Sequence, residues 1–293
     1  MYPYKEDNVM DRVSFTADGI AARRTSMDIS YARPIYDALR RKVSGTEEDK
    51  NLSVALASEN ISLVPFFEAR YRILDKLMEE VGVKNILEVA AGLTPRGLIW
   101  TLDPETTYVE FDLPKKIRQK KEIFQDLLRD SIITKRPGLH FEGGDAKDEN
   151  DFFRATSYFK EDEPIVIVNE GLLRYFTHGE KSVYAGKIWR ALSRFGGYWI
   201  TPDVNIVHPM YHDPSLRSYH DRTTASIGMD IAPNLFESVD EAKVFFKNLG
   251  FEVEVRSYRE VFGELVSPKR LGIPMAKVER LVSEHVAFVM KLK

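Results

Sequence analysis

Hydrophobic and polar positions follow two different patterns along the chain, and the change comes at about residue 83. Before it, the apolar residues of segment 65–81 recur at helical spacing, and Gly82 follows them as a C-terminal stop. The run 16–42 is also helical in character, and Pro34 within it should start a new helix or kink one. We therefore expect residues 1–80 to form a helical N-terminal cap.

After residue 83, short apolar runs alternate with longer amphipathic segments. The runs predict seven strands, at residues 83–90, 106–112, 138–142, 164–169, 197–202, 251–258 and 286–292. Helices are predicted between them, notably at residues 115–129, 178–194 and 238–249. Strands that alternate with helices indicate βαβ units and a mainly parallel sheet that is covered on both faces. The sequence thus predicts an α/β domain over residues 81–293.

The segment 205–237 has no clear periodicity, although it is rich in His, Tyr, Asp and Arg. A long irregular stretch inside a compact α/β domain is typical of a lid or a binding element. We predict a lid-like insertion at about residues 205–238. Its side chains include our candidates for the substrate side of a site, which are His208, His212, His220 and Arg222.

Two of these histidines also raise the question of a metal site. His208 and His212 have the i,i+4 spacing that places two imidazoles on one face of a helix. Pro209 and Pro214 argue against a regular helix there, and no acid lies at a suitable position for a third ligand. We predict that the protein has no metal site.

Composition and charge exclude several classes of protein. The 293 residues carry 42 Lys and Arg against 45 Asp and Glu, so the formal charge is −3 and no basic field indicates a nucleic-acid partner. The basic run 115–121 is interpreted as the solvated face of a helix. No apolar run approaches the roughly 18 residues of a membrane span. The N-terminus lacks the apolar region of a signal peptide, and there are no cysteines, so we expect a cytoplasmic protein without disulfides.

Small residues and acids follow the first four predicted strands. They are Gly92 after the first, Asp112 at the end of the second, Gly144 and Asp145 after the third, and Glu170 after the fourth. In an open parallel sheet, ligands bind beyond the carboxyl ends of the strands. Glycine lets the backbone approach a ligand closely, and an acid at the end of the second strand accepts hydrogen bonds from a ribose diol. The pattern predicts a nucleoside-binding site.

The glycine turn favours one kind of nucleoside. It is not the G-x-G-x-x-G turn of dinucleotide-binding proteins, because Ala90 occupies the first glycine position, and the chain contains no phosphate-binding G-x-x-x-x-G-K-[ST] motif. A ligand without phosphates, such as S-adenosylmethionine, needs only contacts to its ribose, its adenine and its amino-acid carboxylate. Such a ligand fits better than a dinucleotide.

Five stretches carry a resemblance to a known family. They are Glu68-Ala-Arg70, Asn85-Ile-Leu-Glu-Val-Ala-Ala-Gly-Leu-Thr-Pro-Arg96, Val109-Glu-Phe-Asp112-Leu-Pro114, Gly144-Asp145-Ala146 and Asn169-Glu-Gly-Leu-Leu-Arg-Tyr175. The chain resembles the leucine carboxyl methyltransferase superfamily, including its branch of polyketide-type O-methyltransferases. The resemblance implies the Rossmann-like class I methyltransferase fold, with a mostly parallel seven-stranded sheet, helices on both faces and a helical cap that contributes to the active site.

The resemblance also implies roles for single residues in binding S-adenosylmethionine. Arg70 would reach the carboxylate of the methionine moiety and Glu170 its amino group. Asp112 would hold the ribose, with Gly92 forming the turn under the cofactor. The same set of cofactor-binding residues is completed by Glu88 and, flanking the adenine, by Asp145 and Ala146. Two positions depart from the family's motif, because Ala90 replaces a glycine and Thr94-Pro95 replaces an Asp-Thr pair.

The sequence therefore predicts an S-adenosylmethionine-dependent O-methyltransferase that methylates a carboxylate or a hydroxyl oxygen of a small molecule. A hydroxyl acceptor requires a general base, whereas a carboxylate is already ionised. One alternative is a catalytically silent protein that binds S-adenosylmethionine or another nucleoside. The other is an NAD-dependent oxidoreductase, against which the absence of a Tyr-x-x-x-Lys pair argues.

Overall fold

A computed structural model of the chain describes residues 9–44, 61–207 and 213–293, with side chains from residue 16 onward. Its seven strands form one sheet in the order β3-β2-β1-β4-β5-β7-β6. The strands are β1 Asn85–Val89, β2 Thr107–Asp112, β3 Leu139–Gly143, β4 Ile165–Asn169, β5 Gly197–Thr201, β6 Phe251–Ser257 and β7 Val286–Leu292. The first five are parallel, and β7 is antiparallel to both of its neighbours. All seven predicted strands are confirmed.

Helices cover both faces of the sheet. The α-helices of the described residues are α1 Val9–Arg24, α2 Ala32–Val43, α3 Val64–Val81, α4 Arg96–Trp100, α5 Pro114–Arg129, α6 Glu149–Ala155, α7 His178–Phe195, α8 Pro214–Ile227, α9 Val239–Asn248, α10 Ser267–Leu271 and α11 Met275–Ser283. Because side chains alternate across a strand, neighbouring residues of β1 join different cores. Ile86 packs in a cluster with α2, α3 and α5, and Leu87 packs in a cluster with α6, α7 and α9.

Helix α8 corrects the expectation that the segment 205–237 is irregular throughout. Pro214 occupies one of its first positions, where a missing N–H costs nothing, and Asp213 caps it by accepting a hydrogen bond of 2.7 Å from the amide of Ser215. Gly228 ends the helix in the left-handed conformation. His208 and His212 lie outside the described residues, so their spacing is not tested.

The prediction that residues 115–121 form a solvated helix face is wrong for two lysines of α5. Lys116 is 4% exposed and lies 2.7 Å from a carboxylate oxygen of Asp18 in α1. Lys120 is 6% exposed and lies 2.5 Å from Glu110 on β2. These ion pairs attach α5 to the cap and to the sheet. None of the helices in the described ranges is both long enough and apolar enough to cross a membrane.

Candidate cofactor and substrate site

A pocket of about 1190 Å³, counting the space that opens to solvent, lies at the carboxyl ends of the parallel strands. The loops after β1, β2, β3 and β4 form its floor, and helices α1, α3 and α8 add side chains from above. Six of the seven residues that the sequence assigned to a cofactor line this pocket: Arg70, Gly92, Asp112, Asp145, Ala146 and Glu170. We refer to it as the cofactor pocket.

Asp112 joins the loops that follow β1 and β2. Its Oδ2 accepts a hydrogen bond of 2.6 Å from the amide of Gly92, and its Oδ1 accepts one of 2.7 Å from the amide of Leu113. Burial raises the pKa of Asp112, and the two amide donors act in the opposite direction. A carboxylate has about four acceptor positions, so two remain for a ligand. This geometry suits a ribose diol.

The turn after β1 requires unusual backbone conformations. Ala90 has a φ of 58° and Gly92 a φ of 49°, and L-residues rarely adopt such angles. A Cβ on Gly92 would also lie 3.2 Å from the Cβ of Ala17 in α1. Ala90 therefore accepts some strain, and a side chain at Gly92 would add a tight contact with α1 to strain of the same kind.

The loop after β3 is held from two sides. A Cβ on Gly144 would lie 2.7 Å from Asp151 and 2.8 Å from Phe111, so only glycine fits there. The amide of Asp145 donates to Asp151, and Asp145 Oδ1 accepts from the amide of Lys147 at 2.8 Å. Lys187 of α7, which the sequence analysis missed, donates to the carbonyls of residues 146 and 147 at 2.6 and 2.7 Å.

Three arginine side chains surround the carboxylate of Glu170 at the other end of the cofactor pocket. Its Oε1 accepts from Nε and Nη2 of Arg70, at 3.1 and 3.0 Å, and lies 3.6 Å from Arg24. Its Oε2 accepts from Arg96 at 3.0 Å. Burial by itself would raise the pKa of Glu170, but Arg70, Arg24 and Arg96 hold it at about 2. Glu170 is thus ionised at any physiological pH.

Glu88 lies beside the buried Arg96 and not in the cofactor pocket. Arg96 is fully buried, and it donates to Asp75 at 2.6 Å and to Glu88 at 2.5 Å. The second carboxylate oxygen of Glu88 accepts from the hydroxyl of Tyr108 at 2.9 Å. Glu88 is 2% exposed and does not line the cofactor pocket, unlike the other residues assigned with it. Its carboxylate supports Arg96, which in turn positions Glu170.

Asp203 is a second supporting residue that the sequence analysis missed. It follows β5, is 2% exposed, and accepts hydrogen bonds from the amides of Gly171, Leu172 and Leu173 at 2.7, 2.7 and 3.1 Å. These donors begin the 3₁₀ turn after β4, so one buried carboxylate holds the loop that carries Glu170. An acid immediately after a predicted strand was the available signal.

The substrate-side candidates lie in different places. His220 lines a second chamber of about 550 Å³, which shares Arg70, Arg174 and Tyr219 with the cofactor pocket. We call this space the second chamber. Arg222 lines neither space, and His208 and His212 lie outside the described residues. Within the described ranges, no group of three or more His, Asp or Glu side chains could hold a metal ion.

Comparisons with known proteins give structural matches only. No protein-family description and no curated protein matches the chain in sequence. The structure is similar to a DUF574 family protein from Streptomyces avermitilis, with a TM-score of 0.56 and 15% identity over 87% of this chain and 96% of that one.

Two further solved structures align at lower TM-scores. An O-methyltransferase family protein from Burkholderia thailandensis has a TM-score of 0.48 and 13% identity, over 89% of this chain and 71% of that one. Human N-acetylserotonin methyltransferase, solved with S-adenosylmethionine, has a TM-score of 0.47 and 11% identity, over 90% and 68%. The predicted fold class is confirmed as α/β and Rossmann-like, with a mostly parallel seven-stranded sheet and helices on both faces.

Proposed function

We propose that this protein is an S-adenosylmethionine-dependent O-methyltransferase of small molecules and a distant member of the leucine carboxyl methyltransferase superfamily. One observation carries the proposal. A single pocket combines an acid suited to a ribose, Asp112, with a buried cluster of opposite charges around Glu170. S-adenosylmethionine has two parts that match these features, an adenosine with a ribose diol and a zwitterionic amino-acid group.

The charges at the amino-acid end support this assignment. Arg24 and Arg70 line the pocket and both approach Glu170. The guanidinium of Arg70 carries further donors, which would bind the carboxylate of the methionine moiety, while ionised Glu170 would accept from its ammonium group. Because the amino-acid group of the ligand adds one charge of each sign, the net charge of the cluster would not change on binding.

The adenosine end of the pocket has complementary groups. Asp112 keeps acceptor positions for the ribose, and the loop of Asp145 and Ala146 lies beside it with Phe111. We propose that Asp145 and Ala146 bind the edge of the adenine. A dinucleotide would require room for a pyrophosphate at a helix N-terminus. Helix α4 follows the glycine turn, but its first residue is the fully buried Arg96.

When bound, S-adenosylmethionine would supply an electrophilic methyl group, which an acceptor oxygen would attack in line from about 3 Å, with S-adenosylhomocysteine as the leaving group. The chain's own contribution would be to orient both ligands and exclude water, with residues 1–80 as a cap and 205–238 as a lid. A carboxylate acceptor needs no base. For a hydroxyl acceptor, His220 is the candidate base, because burial, followed by the nearby Arg174, lowers its pKa and keeps the imidazole neutral.

Calorimetric titration tests the ligand class. We expect S-adenosylhomocysteine to bind and NAD to show no heat of binding; the reverse result would favour the oxidoreductase. Incubation with methyl-labelled S-adenosylmethionine and a mixture of small carboxylic acids and phenols then tests catalysis. Label extracted with the products supports a methyltransferase, provided that an Asp112→Ala control transfers much less at a limiting concentration of S-adenosylmethionine. Binding without any transfer would favour the silent binding protein.

A further inference from the structure

Arg174 sets the charge of the second chamber. It lies in the 3₁₀ turn Leu173–Tyr175 after β4, and it is 8% exposed. Its side chain forms no ion pair with a carboxylate of the described residues, and its Nε is buried without a hydrogen-bond partner among them. A guanidinium keeps its charge inside a protein, and burial of a charge without a counter-charge is costly. The guanidinium of Arg174 is thus a buried cation without a carboxylate counter-charge among the described residues.

The surroundings hold Arg174 at the wall between the two spaces. Its carbonyl accepts a hydrogen bond of 3.1 Å from Asn234, which is 6% exposed and is itself bound by Lys181. Its guanidinium carbon lies 5.2 Å from the centre of the Tyr219 ring, which lines both spaces. The cation is therefore built into the fold rather than carried on a free surface side chain.

No described carboxylate lines the second chamber to supply the missing negative charge. Its described lining contains no Asp or Glu, and the other arginine in it, Arg70, is already paired with Glu170. Burial, followed by Arg174, lowers the pKa of His220, and burial lowers that of His285 to about 4. Both imidazoles are thus neutral at pH 7, and His220 Nδ1 has no hydrogen-bond partner in the part of the chain that the structure describes.

We propose that the second chamber binds an organic acid through a single carboxylate, with Arg174 as its counter-charge. The aromatic rings of Phe66 and Tyr258, which also line the chamber, would contact the apolar body of the acid. A phosphate monoester carries nearly two charges, whereas the chamber offers one unpaired cation. The inference rests on the proposed function, in which this chamber is the acceptor side. The carboxylate is the group that is recognised, whichever oxygen is methylated.

Calorimetry with paired probes tests the assignment. The intact chain, loaded with S-adenosylhomocysteine, is titrated with benzoate, phenylacetate and 3-phenylpropanoate, and with the neutral amide of each. We expect at least one acid to bind about tenfold or more tightly than its amide. Arg174→Met should abolish that preference, and Arg174→Lys should retain part of it. Arg190→Met, which removes an exposed arginine paired with Glu149, should leave it unchanged.

Affinity for S-adenosylhomocysteine is the second readout. It should stay within about twofold in Arg174→Met, which also shows that the variant is folded. Equal binding of acids and amides, no binding of any acid, or a preference that survives in Arg174→Met would each overturn the proposal. A selective loss of S-adenosylhomocysteine affinity would instead assign Arg174 to the cofactor. The same titrations without S-adenosylhomocysteine test the carboxylate site even if the proposed cofactor does not bind.

Discussion

Replacement of Glu170 by glutamine tests the charge cluster of the cofactor pocket. The substitution keeps the shape of the side chain but removes the charge that faces Arg70, Arg24 and Arg96. The side chain of Glu170 is 5% exposed, so solvent screens these interactions little. Truncation of one partner in such a buried set leaves the others as uncompensated charges, which is among the larger effects of single substitutions.

The pKa of Glu170 gives the size of the effect. Relative to its usual value of 4.5, a pKa of about 2 means that the fold prefers the ionised carboxylate. Each tenfold change in the ionisation constant is equivalent to about 1.4 kcal/mol, so the preference is about 3 kcal/mol. We expect Glu170→Gln to lower the free energy of unfolding at pH 7 by about that amount, measured by urea unfolding.

The same cluster predicts a dependence on pH. Because the pKa of Glu170 is lower in the folded state, its contribution is complete above about pH 4.5 and is lost as the pH falls toward 2. The difference in the free energy of unfolding between the wild type and Glu170→Gln should therefore be smaller by roughly 1 kcal/mol at pH 3.5 than at pH 7. Glu161→Gln is the control, since Glu161 forms an exposed pair with Arg194 and should change stability by less than about 1 kcal/mol. A Glu170→Gln effect as small as that of the control would refute the reasoning.

Three further substitutions address the cofactor pocket. Asp112→Ala should weaken S-adenosylhomocysteine binding by about 100-fold in calorimetry, because two charge-assisted hydrogen bonds to the ribose would be lost; unchanged affinity would remove Asp112 from the site. Arg70→Met should weaken S-adenosylhomocysteine by about tenfold or more but leave 5′-methylthioadenosine, which lacks the amino-acid group, unaffected. Equal losses for the two ligands would argue against that role. Ala90→Gly removes the strain of an alanine in the left-handed conformation at φ 58°, but glycine loses more backbone entropy on folding. Because the first effect is the larger, the substitution should raise the free energy of unfolding by up to about 1 kcal/mol. A decrease of more than 1 kcal/mol in thermal or urea unfolding would show that the Ala90 methyl group makes a needed contact.

Much of the fold was predictable, because the parallel strands are buried runs that differ from the helices in length and period. The five residues of β4 are all buried, and they form the strongest apolar run of the sequence. The convergence of Gly92, Asp112 and Glu170 was also predictable, since parallel strands end at one edge of a sheet. Helix α8 was missed because its start depends on a side-chain cap by Asp213 and not on an apolar stripe.

The contacts of the supporting residues were not predictable from local patterns, although the position of Asp203 after a predicted strand was a signal for the residue itself. Arg96 meets Glu170 across 74 positions of sequence, and Asp203 meets Leu172 across 31. Such contacts depend on which strands become neighbours in the sheet, and the strand order cannot be read directly from a single sequence. Glu88 shows the same difficulty, because its place in the motif resembles that of a ligand-binding acid, whereas its side chain points into the interior and supports Arg96.

A crystal structure with S-adenosylhomocysteine would test the central claim most directly. We expect the ribose hydroxyls within hydrogen-bond distance of Asp112, roughly 2.7 Å, and the amino-acid group in contact with both Arg70 and Glu170. The sulfur should then face the second chamber, next to Tyr219. A ligand bound elsewhere, or one whose ribose lies away from Asp112 in the cofactor pocket, would contradict the account.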